Sequence, residues 1–389
     1  MNFDEIIDRR NTDCLKYDFA AQRGKPDGVL PLWVADMDFP TPSCVTDALI
    51  ERTRHGIFGY SETREDYVDV LQSWFTRRFG WDIRPEWLVK APGVVFTICA
   101  AIRALTNEGD AVLIQPPVYY PFSESILANG RQLVTNELVY REGRYSIDFE
   151  DFERQVIEKK VKLFILCSPH NPVGRVWTKE ELLRLGDICL RHGVIAVVDE
   201  MHADLVYPGH RHHVFASLKP EFNEIAITCT SPAKSFNLAG LHIANILIAD
   251  SKLQRAFRQE LTKSGYSQSN CMGFTACRAA YARGDKWLGS LKEYLAGNLE
   301  FIRNFLHERL PEIRLVEPEG TYLAWLDCSG LGLDDKQLDD LIVHKAGLWL
   351  DAGPMFGAGG AGFQRVNFAC PQAVLAGALE RLERAVKEA

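Results

Sequence analysis

Residues 162–202 read KLFILCSPHNPVGRVWTKEELLRLGDICLRHGVIAVVDEMH. Two short runs, Lys162 to Cys167 and Val194 to Asp199, are apolar almost throughout, which is how strands buried on both faces read. Between them lies a stretch of helical period with both ends marked. Thr178 with Glu181 three residues on forms a capping box, and Gly193 follows the basic last turn of Arg191 and His192. Strand, helix and strand in this order make the crossover unit of a parallel sheet, so the spacing predicts an α/β fold built around it.

The same alternation extends outward from about residue 86 to residue 250. Further strands are predicted from Ala111 to Gln115, Glu224 to Cys229 and His242 to Ala249. A second helix opens after Pro92-Gly93, runs from Val94 to about Leu105, and stops at the turn-like Asn107-Glu108-Gly109-Asp110. Beyond about residue 285 the texture changes: a long helix (Leu288 to Leu310), a strand (Tyr322 to Asp327), a short helix near Asp335 to His344, a strand (Gly362 to Cys370) and a closing helix. This predicts a second, smaller α+β unit. Gly353, Gly357, Gly359, Gly360 and Gly362 lie between two of its elements and read as a mobile loop. They do not follow a strand and open a helix, so no dinucleotide cradle is expected.

Composition narrows the class of partner. The chain has 389 residues, 47% of them hydrophobic, and its 52 Asp and Glu outnumber 44 Lys and Arg to leave a charge of -8. That balance suits neither a nucleic-acid backbone nor an anionic membrane, and a small molecule is the expected ligand. Ten Cys are scattered singly with no Cys-x-x-Cys, which fits reduced thiols and a cytoplasmic location. The first ten residues alternate apolar with charged side chains and end in Arg9 and Arg10, so no signal sequence is expected, and no run approaches a membrane span.

Chemistry enters where polar residues interrupt strand ends, since ligands of open α/β sheets gather beyond the carboxyl ends of the strands. Lys162 to Cys167 leads into Ser168-Pro169-His170-Asn171-Pro172-Val173-Gly174-Arg175, and Val194 to Val198 into Asp199-Glu200-Met201-His202. Glu224 to Cys229 leads into Thr230-Ser231-Pro232-Ala233-Lys234-Ser235-Phe236-Asn237. A Lys on a tight loop with few acidic sequence neighbours is a candidate imine-forming nucleophile. A buried Asp199 is suited to hold a cation such as a protonated pyridine nitrogen. Each residue alone also has a plain reading: Lys234 as a solvated lysine, Asp199 as a cap, Asn171 as a turn residue. The conjunction favours chemistry. His210, His212 and His213 with Asp204 read as a solvated loop rather than a metal site, because adjacent His in an extended segment face opposite ways. Asp36 and Asp38 suit a structural turn at a subunit contact as well as an acid/base pair, and stay outside the expected site.

Four strand-end and loop motifs occur in order: Asn171-Pro172-Val173-Gly174, Asp199 with His202, Ser231 with Lys234, and Arg365-Val366-Asn367. Together they resemble the fold-type I pyridoxal phosphate enzymes, the aspartate aminotransferase superfamily of class I/II. Trp33-Val34-Ala35-Asp36-Met37-Asp38-Phe39, Pro116 to Phe122, His170 to Trp177 and Lys234 to Leu241 are similar to the PatB/MalY-type branch of cystathionine β-lyases, and this likeness spans essentially the whole chain. The resemblance implies a large domain whose mostly parallel sheet is sandwiched by helices, plus a smaller α+β domain. Residues 1–45 would join the small domain and a dimer contact, 46–285 would bind pyridoxal 5'-phosphate, and 286–389 would form the small domain.

Carried over by residue, the resemblance implies that Lys234 forms an imine with the cofactor aldehyde and later shuttles the Cα proton. Asp199 would keep the pyridine nitrogen protonated, and Asn171 and His202 would hydrogen-bond the phenolate oxygen. Many relatives have Tyr where His202 stands. Tyr119 would stack on the ring, and the phosphate would rest at Gly93 on the amides of Val94 and Val95. Ser231 would add a hydroxyl, and Tyr60 would reach the phosphate from the neighbouring subunit of a homodimer. Arg365 would clamp the substrate carboxylate with two parallel hydrogen bonds, with Asn171 beside it. Many aminotransferases carry a phosphate-binding Arg where this chain has His242, a position at which the lyase branch also tends to lack Arg.

The implied reaction is elimination from cystathionine or another cysteine S-conjugate, giving a thiol such as homocysteine, pyruvate and ammonia, and placing the protein in amino-acid metabolism near methionine biosynthesis. An aminotransferase is the alternative, because the two reactions share their early steps. A regulatory protein on the same scaffold is a third reading, against which Lys234, Asp199 and Arg365 all speak.

Overall fold

The structure is a computed structural model and describes residues 1–388. Its centre is a seven-stranded sheet. In chain order its strands are β1 (Leu88–Ala91), β2 (Ala111–Ile114), β3 (Gln132–Thr135), β4 (Leu163–Cys167), β5 (Ile195–Asp199), β6 (Ala226–Thr230) and β7 (Ala244–Leu247). Across the sheet they run β1-β7-β6-β5-β4-β2-β3, parallel from β6 through to β3, with β7 antiparallel to both of its neighbours.

Burial on both faces explains the continuous apolar runs. Successive side chains of a strand point to opposite faces. Leu163, Ile165 and Cys167 accordingly join one apolar core, while Phe164 and Leu166 join the other. All five expected strands of this region are present, their ends shifted by at most two residues. The two outer strands, β1 and β3, escape the pattern because each is four residues long and is broken by a polar side chain or half exposed.

The crossover helix, α2 (Lys179–His192), is closed as its sequence indicates. Glu181 N–H donates to Thr178 Oγ1 at 3.2 Å, and Thr178 N–H donates back to the Glu181 carboxylate at 2.8 Å. Gly193 then adopts φ 67°, a region that costs any residue with a Cβ and glycine little. The earlier helix, α1 (Val94–Leu105), has the predicted bounds.

A second, four-stranded antiparallel sheet is made by β8 (Arg314–Val316), β9 (Leu323–Asp327), β10 (Asp351–Ala352) and β11 (Phe363–Asn367). The Asp285–Arg309 helix and the closing Gln372–Lys387 helix are in place, as the periodicity predicts. Leu30–Pro31 pairs in parallel with Leu348–Trp349, and the rings of Trp33 and Trp349 stack at 4.4 Å, so the two ends of the chain meet. The glycine-rich stretch is not the mobile loop its composition suggests. Gly353 is buried, and a Cβ there would lie 1.8 Å from the carbonyl oxygen of Gly360. Gly353 and Gly360 let two backbones touch, while Gly357, Gly359 and Gly362 supply the positive φ of the turns around that contact.

Candidate active site

The carboxyl ends of β4, β5 and β6 open on a cavity of about 170 Å³. Its wall includes Gly93, Val94, Val95, Tyr119, Asn171, Asp199, His202, Ser231 and Lys234, so the structure brings together nine of the eleven expected residues.

Asp199 ends β5 and is buried. One carboxylate oxygen accepts the Met201 N–H at 3.1 Å. Burial pushes its pKa up to about 7, opposed by that hydrogen bond and by Lys234. Lys234 lies in a four-residue helix, Pro232–Ser235, capped by the Ser231 hydroxyl. Its amine donates to the Ala35 carbonyl at 2.6 Å. Burial pulls this amine down to about 8, with Asp36 and Asp199 holding it up and Arg365 repelling it. A lysine so lowered holds a usable fraction of neutral amine near neutral pH, as an imine-forming nucleophile requires.

Around this pair the other side chains fall into place. Asn171 turns its carbonyl oxygen to Arg365 Nη1 at 2.9 Å, which leaves its NH₂ group as a donor. His202 is buried, and its Nδ1 has no hydrogen-bond partner among the described residues. Burial first, then Lys234 and Arg365, keeps its imidazole uncharged. Burial raises the Tyr119 hydroxyl, so the ring stays neutral where it meets the cavity. At the far end, α1 begins without a side-chain cap, and its first backbone bond runs from Thr97 N–H to Gly93 O. The amides of Val94 and Val95 are therefore unpaired within the helix and suit an anion.

Three expected contacts need adjustment. Ser231 already donates its hydroxyl proton to the Ile243 carbonyl at 2.6 Å, so any gift to a phosphate requires that bond to break. Tyr60 is 98% exposed and lies away from this cavity in its own chain, beside Phe58 in a separate surface hollow. Arg365 is buried but is not the free fork expected: Nη2 holds the Trp33 carbonyl at 2.8 Å and the Asp351 carboxylate, and Nη1 holds Asn171. Among its nitrogens only Nε lacks a partner within the described residues.

Other readings are overturned in detail. His212 is not solvated: it is buried, with Nε2 3.4 Å from the buried Glu200 carboxylate. Among the described residues no group of three or more His, Cys, Asp or Glu side chains converges as a metal site. The sequence reading missed Asp351, although a carboxylate ends the apolar run Leu348-Trp349-Leu350 just as Asp199 ends its own. It also missed Ala35, an apolar residue that carries no chemical signal and acts through its carbonyl.

The profile of the family described as aminotransferase class I and II matches residues 27–382. The chain belongs to this family. Within it, the chain is 42% identical to the cystathionine β-lyase PatB of Bacillus subtilis over 99% of this chain and all of that one. A pyridoxal-phosphate-bound putative aminotransferase from Clostridium difficile 630 superposes with a TM-score of 0.97 at 42% identity, covering 99% of each chain. The pyridoxal-phosphate-bound C–S lyase of Staphylococcus hominis superposes with a TM-score of 0.93 at 33% identity, covering 99% of this chain and 98% of that one. The sheet order and flanking helices are those of fold-type I in this family.

Proposed function

We propose that this protein is a pyridoxal-phosphate-dependent carbon–sulfur β-lyase acting on cystathionine or related cysteine S-conjugates. The observation that carries the reading is one cavity in which a lowered lysine amine, a buried carboxylate and an uncapped helix start face one another. The residues fit the cofactor. Burial makes the charged forms of both Asp199 and Lys234 costly, and a cationic ring and an aldehyde would relieve each of them. The unpartnered His202 Nδ1 and the free NH₂ of Asn171 suit a ring oxygen, and the α1 amides suit a phosphate.

When bound, pyridoxal phosphate supplies an aldehyde that condenses with amines and a ring that takes up the electrons left at Cα. Lys234 would hold the cofactor through its amine and, once that amine is free, would accept the Cα proton. Asp199 would pair with the ring nitrogen and favour its protonated form. Tyr119 would pack against the ring, and Arg365 with Asn171 would receive the substrate carboxylate, with Asp351 sharing the guanidinium. Loss of the β-thiolate, followed by hydrolysis, gives thiol, pyruvate and ammonia. Homocysteine, the thiol from cystathionine, differs from methionine by one methyl group, which is the basis for placing the reaction near methionine biosynthesis.

Residues 46–285 serve as the cofactor-bearing body, and 1–45 with 286–389 as the closing part that carries Arg365. We place the active enzyme as a cytoplasmic homodimer. All ten thiols are free, and exposed Ile57, Phe58 and Tyr60 form an apolar edge suited to a second copy, with Tyr60 reaching the partner's phosphate site. No helix among the described residues is long and apolar enough to cross a membrane.

The test is direct. The cofactor-loaded protein given cystathionine alone is expected to release pyruvate and homocysteine in equal amounts. A strict requirement for a keto acid would favour the aminotransferase reading, to which the C. difficile relative's name points.

A further inference from the structure

Residues Trp33 to Phe39 cross the Lys234 amine as an irregular strap, outside any strand or helix. Side chains from both flanks take its carbonyls. Arg365 holds Trp33 O at 2.8 Å, Asn367 holds Val34 O at 2.7 Å and Asp36 O at 2.6 Å, and Asn237 holds Met37 O and Phe39 O at 2.9 Å each. Ala35 O receives both Lys234 at 2.6 Å and the Tyr322 hydroxyl at 2.9 Å. Outside any ladder, the strap is held by these contacts, by the Asp38 N–H bond to the Ala369 carbonyl at 2.9 Å, by the buried side chains of Trp33, Met37 and Phe39, and by one ion cluster. Arg9 grips both oxygens of Asp36, at 2.6 and 3.1 Å, and one oxygen of Asp38 at 2.7 Å. Lys16, wholly buried, lies 2.9 Å from Asp38 and 3.7 Å from Asp36, and the Tyr17 hydroxyl donates to Asp38 at 3.1 Å.

Lys16 and Asp38 are buried and paired, as buried charges need to be, and the partly exposed Arg9 and Asp36 complete the cluster. From this geometry we propose that Asp36 is a positioning residue for Lys234: clamped by Arg9 and Lys16, it fixes the strap that presents the Ala35 carbonyl to the amine and sets a negative charge beside it. The inference rests on Lys234 being the reactive amine. The other groups facing that amine are Asp199 and His202 from the end of β5 and Arg365 from β11, with Tyr322 sharing its carbonyl acceptor. Asp199 and Asp36 favour the ammonium, and Arg365 opposes it. Asp36 differs from Asp199 in that its charge is partly offset by an immediate cation, Arg9, so the two can be varied in opposite senses.

The experiment uses cofactor-free protein of full length. Lys234 is labelled with acetic anhydride across pH, and the midpoint of its reactivity is read by mass spectrometry of its peptide. Asp36→Asn removes the charge and the clamp, and is expected to lower the midpoint by ~0.5 unit or more. Arg9→Gln takes the nearest cation away from Asp36, and is expected to raise it. Opposite signs support the proposal; shifts of the same sign, or none, overturn it. If Asp36→Asn fails to fold, Arg9→Gln decides alone: a rise supports, an unchanged or lowered midpoint refutes. The midpoints are read without substrate or cofactor, so they stand whether the enzyme eliminates or transaminates. Failure of Lys234 to fix the cofactor on borohydride reduction would instead remove the reading beneath the proposal.

Discussion

The cavity has two unlike walls. One is formed by strand ends and a helix start: Asn171 follows β4, Asp199 ends β5, Lys234 follows β6, and Val94 and Val95 open α1. The other is the irregular Trp33–Phe39 strap, which reaches the cavity through Ala35 and is held from behind by Arg365, itself facing Asp351 across the register of β10 and β11. Backbone ladders buried on both faces anchor the first wall through the strand ends that carry its groups. The strap has no ladder of its own and is held largely by side-chain bonds and ion pairs, contacts of a kind that can exchange partners when a carboxylate arrives. The rigid wall is suited to the ring and the reacting amine, and the adaptable wall to recognising substrate.

If that division is right, damage to the rigid wall should show in the chemical step. Lys234→Ala is expected to cost roughly 10⁴-fold or more in kcat, since it removes the group that moves the proton. Cofactor fixed by borohydride should vanish with it, and fixation at another lysine would break the comparison at its strongest point. Asp199→Asn keeps the shape but not the charge, and a loss on the order of 10²-fold or more in kcat is expected, as for other preorganised charges at a reacting centre. Its KM should change little. A loss confined to KM would place Asp199 in binding rather than in chemistry.

The same division decides what could be read from sequence. The rigid wall was legible because regular structure ties a residue's place in the chain to its place in space. An apolar run that ends in Asp199 puts that carboxylate at the sheet's edge, and Gly93 before an apolar helix exposes amides. Of the adaptable wall only Arg365 was reached, through family likeness. Ala35 acts through a carbonyl every residue has, and Arg9, Lys16, Asp36 and Asp38 look like scattered surface charges until the fold gathers them around a buried Lys16 and Asp38. The glycines from 353 to 362 misled for a related reason: composition reports backbone freedom, and only packing shows that at Gly353 and Gly360 it is used for contact. Tyr60 was assigned from family likeness alone, and one chain cannot supply its partner.

On the adaptable wall, effects should be smaller and fall on recognition. Arg365→Ala is expected to lower kcat/KM by roughly 10²-fold, more through KM than through kcat, by removing a charge-assisted pair with the carboxylate. An unchanged kcat/KM would take Arg365 out of the site. Asp351→Asn sharpens the point. Burial raises the Asp351 pKa while Arg365 opposes the rise, so the carboxylate and the incoming substrate compete for one guanidinium. The variant should keep its cofactor and change KM by about 10-fold or less. A large loss of kcat would mean that this wall too takes part in the chemistry.

The smallest effect is a matter of pH, and it returns to the rigid wall. In the cofactor-free protein, burial lifts Asp199 from 3.8 to about 7, so between these values the folded state keeps a proton that the unfolded chain has lost. Stability from this group therefore falls as pH rises through that window. Lys234 is lowered from 10.5 to about 8, so the folded state binds the proton less tightly, and the cost is fully present below about 8 and recedes toward 10.5. The two contributions meet in a trough near pH 7 to 8. Bound cofactor would relieve both, because Asp199 gains a cation and Lys234 no longer carries a free ammonium. The Tm gap between loaded and cofactor-free protein should therefore be wider at pH 7.5 than at pH 5, by about 1 to 3 °C for a chain of this length. Scanning calorimetry of both forms across this range decides it, and a gap that is flat, or widest at pH 5, would mean that the rigid wall does not penalise the charged forms of these two groups.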